Sequence, residues 1–518
     1  MKTFPLLQRL RAALPLLLAL ACAPAALANV RLPSIFSDHM VLQRGVPLPV
    51  WGWAEPSEEV TVTIAGQTQT TKADAAGKWK VKLAPLQSAE PLTFTVKGRN
   101  THTVTDVLVG EVWLCSGQSN MAMTVERSQD FDQEKAAAKF PAIRMFRQAD
   151  GAATTPQEQG QGAWFVCSPE SVGGFSATAY FFGRDVHQKI KAPVGLINSS
   201  VGGTAIEAWT SIDVQKNRAE LKPIFDRWAK LQADWSPEKA QEAFVKQVAG
   251  FKDATAKARA EGKPAPRPPR KPTEPIRDSN HPANLFNGKI MPLIPYAIRG
   301  AIWYQGESNA GKGNADLYRL QLELLTADWR SRWAQGDFPF AWVQLPNFRK
   351  PQTEPVEDSG WSTVREAMLQ ALKIPNTGMA IAIDVGEAND IHPKNKQAVG
   401  QRLANWALAK VYEQKDVAAS GPLPAGSEIE GNEINLSFQH THGGLVAKGG
   451  ELKGFAIAGA DKKWLAAKAR IAGDKVILSH PDVKTPVAAR YAWAENPACN
   501  LFNGAGLPAS PFRTDDWK

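Results

Sequence analysis

The chain has 518 residues, of which 43% are apolar and 21% charged, enough for one large domain and one or two smaller ones. The formal net charge of +9 is modest, and the densest basic stretch is interleaved with proline, so we expect no nucleic-acid partner. After the first thirty residues no apolar run approaches the ~20 residues of a membrane-spanning helix, so we expect no membrane partner.

The first 28 residues have the three parts of a secretory signal. A basic start is followed by an apolar stretch, residues 12–22, and by a small-residue end at residues 26–28. A buried N-terminal helix and a lipoprotein anchor at Cys22 are the alternatives. We expect an exported protein, periplasmic or secreted. Three cysteines (Cys115, Cys167 and Cys499) then remain, and their spacing fits neither a disulfide scaffold nor a zinc site. One disulfide or three buried thiols are both compatible with it.

Residues 29–105 show a β pattern. Apolar and polar residues alternate at 60–64, 78–83 and 92–96, and Gly, Pro and Asp separate these runs. The pattern predicts a small N-terminal β-sandwich.

From residue 106 to residue 415 strands alternate with helices. Apolar runs at 107–115, 194–198, 298–303, 340–345 and 379–383 predict strands, and amphipathic stretches at 178–190, 317–329 and 396–411 predict helices. This alternation is typical of a three-layer α/β/α fold with a parallel sheet, whose ligands bind beyond the carboxyl ends of the strands.

Two further regions interrupt or follow this alternation. Residues 213–275 resemble an insertion of two polar helices, which meet at Ser236-Pro237, where Ser can cap a helix and Pro can begin one. We expect this insertion to overhang the rim of the site. Residues 416–518 return to short alternating runs and predict a C-terminal β region.

The motif Cys-Ser-Gly-Gln-Ser-Asn-Met, residues 115–121, directly follows a predicted strand. A serine beyond a strand end, among small residues and at a helix start, is surrounded by backbone N–H donors. Such donors suit a nucleophile, because the oxyanion must meet them as it forms. Ser119 is therefore a candidate nucleophile; a helix cap is the alternative.

Three further motifs follow later strands. Asn-Ser-Ser-Val-Gly-Gly-Thr-Ala-Ile-Glu-Ala-Trp, residues 198–209, has two glycines that let the backbone approach a ligand closely. Trp-Tyr-Gln-Gly-Glu-Ser-Asn, residues 303–309, ends in an amide that could donate to an oxyanion or hold a turn. In Asp-Val-Gly-Glu-Ala-Asn-Asp-Ile-His-Pro-Lys-Asn-Lys, residues 384–396, a carboxylate stands two residues before His392 and can orient its ring.

Taken together, these motifs resemble the four blocks of the SGNH hydrolases: Ser119 in Gly-Gln-Ser-Asn, a glycine in the second motif, Asn309 in Gly-Glu-Ser-Asn, and His392. More narrowly, residues 110–121, 302–309 and 390–393 are similar to the sialate O-acetylesterase family, which includes bacterial acetylxylan and plant-glycan esterases. Residues 285–288 and 500–513 are similar to it as well.

By this resemblance Ser119 is the nucleophile, and His392 is the general base that later protonates the leaving hydroxyl. Asp390 would orient His392, although many SGNH enzymes place the acid three residues before the histidine, where this chain has Asn389. Asp384 is a second candidate acid, and a Ser-His dyad without an acid is the third alternative. The oxyanion hole would have three donors: the backbone N–H of Ser119, a glycine N–H (Gly202 or its neighbour Gly203) and the side chain of Asn309.

The resemblance implies an exported serine esterase that removes O-acetyl groups from plant cell-wall glycans such as xylan or xyloglucan oligosaccharides, through an acetyl-enzyme. It implies no metal or other cofactor. A sialate O-acetylesterase is the alternative enzyme, and a non-catalytic glycan-binding protein is the alternative from another class. Trp209 and Trp361 are candidates for stacking against sugar rings.

Overall fold

The computed structural model describes residues 29–262, 265–266, 268–311 and 313–517. The predicted signal, residues 1–28, lies outside them. Of the helices within these ranges, none combines the length and the apolar character that crossing a bilayer requires.

The N-terminal part consists of short strands whose buried and exposed residues alternate, as in Glu59–Ile64. These strands are β1 (Val41–Gln43), β2 (Leu48–Trp53), β3 (Glu59–Ile64), β4 (Gln67–Lys72), β5 (Lys78–Leu83), β6 (Leu92–Lys97) and β7 (Thr101–Gly117). The order β4-β3-β6-β7 forms one antiparallel sheet, and β2 pairs with β5 in a second. The two sheets correspond to the predicted N-terminal β region.

The long strand β7 continues into the central sheet. The other strands of this sheet are β8 (Phe140–Gln148), β9 (Gly162–Cys167), β10 (Val194–Ser200), β11 (Gly300–Tyr304), β12 (Phe340–Gln344) and β13 (Thr377–Ile381). Their order is β13-β12-β11-β7-β10-β8-β9, and all neighbours are parallel except β8 and β9. The expected domain boundary at residue 105 thus falls within one continuous strand.

Helices cover both faces of this sheet. The helices are α1 (Ser119–Ala122), α2 (Phe131–Ala137), α3 (Ala177–Ile190), α4 (Ile212–Gln215), α5 (Lys222–Ala233), α6 (Pro237–Ala260), α7 (Glu307–Gly311), α8 (Tyr318–Trp333), α9 (Gly360–Gln370) and α10 (Lys396–Lys410). Trp303 and Trp342 lie in one core with α8 and α9. Their strand neighbours Ile302 and Val343 point to the other face and lie in a second core with α3 and α10. The predicted three-layer α/β/α fold is confirmed.

The C-terminal part is again made of strands: β14 (Leu423–Glu430), β15 (Glu433–Gln439), β16 (Leu445–Ala447), β17 (Phe455–Gly459), β18 (Trp464–Ala466), β19 (Lys468–Ala472), β20 (Lys475–Ser479), β21 (Pro486–Tyr491), β22 (Leu501–Asn503) and β23 (Phe512–Arg513). Two antiparallel sheets, β14-β15-β20-β19 and β18-β17-β21-β23, share one apolar core. The flanking β regions of the prediction are therefore both present.

Candidate active site

Three neighbouring strands bring the first three motifs to one edge of the central sheet. Gly117, at the end of β7, pairs with Ser200 at the end of β10 and with Tyr304 at the end of β11. Because these strands are parallel, the segments that follow them leave the sheet at the same edge.

Ser119 is the first residue of α1, two residues beyond β7, and is partly exposed. The turn that places it there depends on Gly117, whose φ is +137° and whose substitution by any larger residue would put a Cβ 2.2 Å from the carbonyl oxygen of Tyr304. The Gln118 N–H donates to that same oxygen at 2.9 Å. Within the described chain, no acceptor takes a hydrogen bond from the Ser119 N–H.

The glycine that faces Ser119 is Gly202. A Cβ built on Gly202 would lie 3.3 Å from the Ser119 Cβ, whereas a Cβ on Gly203 would have no atom within 4 Å. Like the Ser119 N–H, the Gly202 N–H donates to no acceptor in the part of the chain that is described. Of the two candidate glycines, Gly202 is therefore the one beside the predicted nucleophile.

The fourth motif places Asp390 beside His392. Its Oδ1 accepts a hydrogen bond from the His392 backbone N–H at 2.9 Å and lies 3.6 Å from Nδ1 of the ring. The His392 side chain is 12% exposed. Asp384 has another partner, because Arg402 donates to both of its carboxylate oxygens, at 2.6 and 2.8 Å. The geometry favours Asp390 as the acid; its triad role stays a prediction.

A hydrogen bond joins the Ser119 and His392 segments. Nδ2 of Asn120, the residue after Ser119, donates at 3.0 Å to the carbonyl oxygen of Ile391, the residue before His392. The first and fourth motifs are therefore in direct contact, through the residue after the predicted nucleophile and the residue before the predicted base.

Asn309 is fully buried, and all of its amide atoms have partners. Its Oδ1 accepts from the Ile206 N–H (3.1 Å) and from Gln305 (2.8 Å). Its Nδ2 donates to Glu207 (3.1 Å) and Gln321 (3.3 Å). The amide thus holds the loop after β10, and donation to an oxyanion would require exchange of one of these bonds. The predicted oxyanion role of Asn309 stays a prediction.

Sequence reasoning missed several buried polar residues inside its own motifs. The amide of Gln305 donates to Gln118 Oε1, Thr204 O and Asn309 Oδ1, so it links three motifs. Glu307 and Lys396 lie close to His392. Burial raises the pKa of Glu307 and lowers that of Lys396 to about 7. The sequence signal that could have identified these residues is the run of polar residues directly after buried strands.

The prediction that Trp209 and Trp361 stack on sugar is wrong. Their exposed fractions are 0% and 4%, so neither ring offers a face to a ligand. The indole N–H of Trp209 donates to Thr204 and that of Trp361 to the Pro346 carbonyl. Both side chains belong to the core, because Trp buries more apolar surface than most residues.

The described residues include neither a disulfide nor a cluster of metal ligands. Cys115, Cys167 and Cys499 are free thiols, so the disulfide alternative is wrong; Cys115 and Cys167 are buried as the other alternative expects, whereas Cys499 is only partly buried. Among the described residues, no three His, Cys, Asp or Glu side chains group in a way that could hold a metal ion.

The parallel sheet and the motifs at its edge define an SGNH-like α/β hydrolase. The family model for carbohydrate esterases described as sialic acid-specific acetylesterases matches residues 109–233 and 287–409. The sialate O-acetylesterases of mouse and human are each 30% identical to this chain, over 93% of it and over 94% and 92% of their own lengths. A carbohydrate acetylesterase from Xanthomonas citri, solved by crystallography, is 35% identical, with a TM-score of 0.78 over 94% of this chain and all of its own.

The chain belongs to the sialate O-acetylesterase family of carbohydrate esterases. It is therefore an esterase that acts on acetylated carbohydrate, and the non-catalytic alternative is set aside.

Proposed function

We propose that this esterase is exported and transfers the acetyl group of its substrate to Ser119 before water releases acetate. The observation that carries the proposal is the meeting of three parts at one sheet edge. Ser119 begins a helix there, Gly202 approaches its Cβ, and Asn120 ties the His392 segment to it.

In the first half-reaction, Ser119 Oγ attacks the acetyl carbonyl carbon while His392 accepts the hydroxyl proton. The tetrahedral intermediate then expels the sugar oxygen, which takes the proton from His392. Water repeats the sequence on the acetyl-enzyme, giving acetate and free Ser119. Asp390 would stabilise the imidazolium, since its Oδ1 lies 3.6 Å from the ring Nδ1 and catalytic hydrogen bonds often shorten when substrate binds.

The negative charge on the carbonyl oxygen needs donors that are in place before the reaction. The Ser119 and Gly202 N–H groups are the proposed first two donors, because Gly202 lies next to Ser119 and neither N–H has an acceptor within the described residues. The Asn309 amide is the proposed third donor.

The proposed substrates are acetylated plant cell-wall glycans, as the sequence motifs imply. The second candidate is an O-acetylated sialic acid, which the description of the family model and the names of the mouse and human relatives support. Both are sugar acetates, and the proposed chemistry at Ser119 is the same for each.

A panel of substrates separates these candidates. Acetate release from acetylated xylan, acetylated xyloglucan oligosaccharides and O-acetylated sialic acid would be measured with wild type and with Ser119→Ala as the matched control. Higher kcat/KM on the cell-wall glycans supports the first candidate, and higher kcat/KM on the sialic acid overturns it in favour of the second. N-terminal sequencing of the mature protein tests export, and a start at Met1 or Lys2 would contradict it.

A further inference from the structure

Three buried polar side chains contact the segment that contains His392, either directly or through one another. Asn120, Glu307 and Lys396 are 0%, 5% and 0% exposed, and each comes from a different motif. None of the three is the proposed nucleophile, base, acid or oxyanion donor. Buried polar groups are costly unless they are hydrogen-bonded, so their contacts indicate what they do.

Lys396 and Asn120 bind the carbonyl groups of the two residues next to His392 in the chain. Nζ of Lys396 donates to the Pro393 carbonyl at 2.6 Å, and Nδ2 of Asn120 donates to the Ile391 carbonyl at 3.0 Å. Because these carbonyls lie on either side of His392, the two bonds fix the direction in which the backbone presents the ring.

The same side chains are joined to each other. Lys396 Nζ also donates to Asn120 Oδ1 at 2.7 Å, and Asn120 Nδ2 donates to Glu307 Oε1 at 2.5 Å. Asn120 directly follows Ser119 in α1, so the network connects the His392 segment to the nucleophile's own backbone. Glu307 anchors the network to α7, which begins three residues after β11.

The charges of the network do not by themselves explain its presence. A buried ion pair often stabilises a protein no better than apolar residues of similar volume. The cation of Lys396 interacts favourably with Glu307, Asp390 and Glu387 and unfavourably with Arg127, and it lies 5.5 Å from the ring centre of Tyr304. The contacts of these three side chains are better explained by the geometry that they impose on the His392 segment.

We infer that Asn120, Glu307 and Lys396 form a clamp that positions His392 against Ser119. They are positioning residues, and the inference rests on the roles proposed above for Ser119 and His392. Without the clamp, the ring would sample other orientations, and small misplacements of a reacting group can lower the rate by about 10²-fold.

The first test is Lys396→Met, which keeps the length and volume of the side chain but removes its donors and its charge. We expect kcat on a small chromogenic acetyl ester to fall by about 10- to 100-fold, with KM little changed because Lys396 is fully buried. Asn120→Asp, which keeps the acceptor for Lys396 but loses the donor to Ile391, should act in the same direction. Lys410→Met, exposed at the other end of α10, is the matched control and should keep the wild-type kcat.

The pH profile provides a measurement that general destabilisation would not change. Removing the Lys396 cation makes protonation of His392 easier, so the acid limb of kcat/KM should move to higher pH in Lys396→Met. Titration with an active-site phosphonate corrects each rate for the fraction of folded enzyme. If Lys396→Met does not fold, Lys396→Gln, which keeps one donor without the charge, is measured in the same way.

Wild-type kcat and an unmoved acid limb in the Lys396 and Asn120 variants would overturn the clamp. Ser119→Ala and His392→Ala are measured alongside them. If those two variants stay active, the proposed function fails instead. If they are inactive while the clamp variants behave as wild type, only the clamp fails.

Discussion

At the scale of single residues, the site consists of a few partly exposed groups supported by buried amides and carboxylates. Ser119 and His392 reach the surface, whereas Gln305, Asn309 and Glu207 are fully or almost fully buried. Because buried polar groups need defined partners, each of them fixes the position of a neighbour rather than moving freely. The effects of substitutions on kcat should therefore distinguish residues that take part in the reaction from residues that hold them in position.

The identity of the acid is the first such case. Asp390→Asn keeps an acceptor for the His392 N–H but removes the charge that stabilises an imidazolium, so kcat should fall by up to about 10⁴-fold. Asp384→Asn breaks a bidentate pair with Arg402 and should lower stability while leaving kcat near wild type. Steady-state kinetics with thermal unfolding of both variants checks this. A wild-type rate for Asp390→Asn with a collapsed rate for Asp384→Asn would transfer the role to Asp384.

Asn309 is the second case. If its amide donates to the oxyanion, Asn309→Ala should lower kcat by about 10²- to 10³-fold with little change in KM. Kinetics on a small acetyl ester measures this split. An increase in KM alone would show instead that the amide contributes to substrate binding. It would do so by holding Ile206 and Glu207, which it contacts in the structure.

At the scale of elements, the positions of strands and helices followed from sequence patterns, but the contacts between side chains did not. The prediction for residues 78–83 matches β5, and that for 178–190 matches α3 within one residue. Such patterns report which face of an element is buried. They do not report long-range partners, so nothing local indicated that Lys396 meets Asn120 or that Trp209 is covered.

The expected insertion divides into two parts with different packing. Asp213 pairs with Arg332, and Trp228 of α5 lies in a small apolar cluster with Leu324 of α8, so its first part packs on α8. Helix α6 has no buried residue, although the predicted cap at Ser236 is present. The second part consists of residues 235–273. A hydrogen bond from the Gln232 side chain to Glu274 joins the two segments on either side of it.

Replacing residues 235–273 with a short Gly/Ser linker should therefore spare hydrolysis of a small acetyl ester and change activity on glycans. The physical reason is that α6, the helix in this part, has no buried residue, while the expected position of the segment at the rim of the site would affect only large substrates. Parallel assays on the ester and on acetylated oligosaccharides measure the effect. Equal loss on both would show that the segment serves folding.

At the scale of the whole molecule, the C-terminal β region is bound to the catalytic domain through a buried cation. Arg365 is 0% exposed and donates to the carbonyls of Leu345 and Pro346 and, across the boundary, to those of Ala494 and Glu495. These bonds replace the water that four carbonyls would otherwise need. The C-terminal region and the catalytic domain thus share a buried, hydrogen-bonded contact.

Arg365→Met should lower the free energy of unfolding by about 3 kcal/mol or more, because several buried carbonyls lose their partners. Arg319→Met, which removes an exposed pair with Glu323, is the control and should change it by no more than about 0.5 kcal/mol. Urea unfolding of both variants gives the comparison. Equal stability would mean that the C-terminal region does not depend on this cation.

The central claim is that Ser119 carries the acetyl group between the two half-reactions. Wild type and Ser119→Ala would be mixed with a chromogenic acetyl ester, quenched in acid at early times, digested and analysed by peptide mass spectrometry. The account predicts one acetyl group on the peptide containing Ser119 in wild type, and in Ser119→Ala no such adduct and a rate at least about 10³-fold lower. Acetylation at another residue, or turnover by Ser119→Ala at a tenth or more of the wild-type rate, would contradict it.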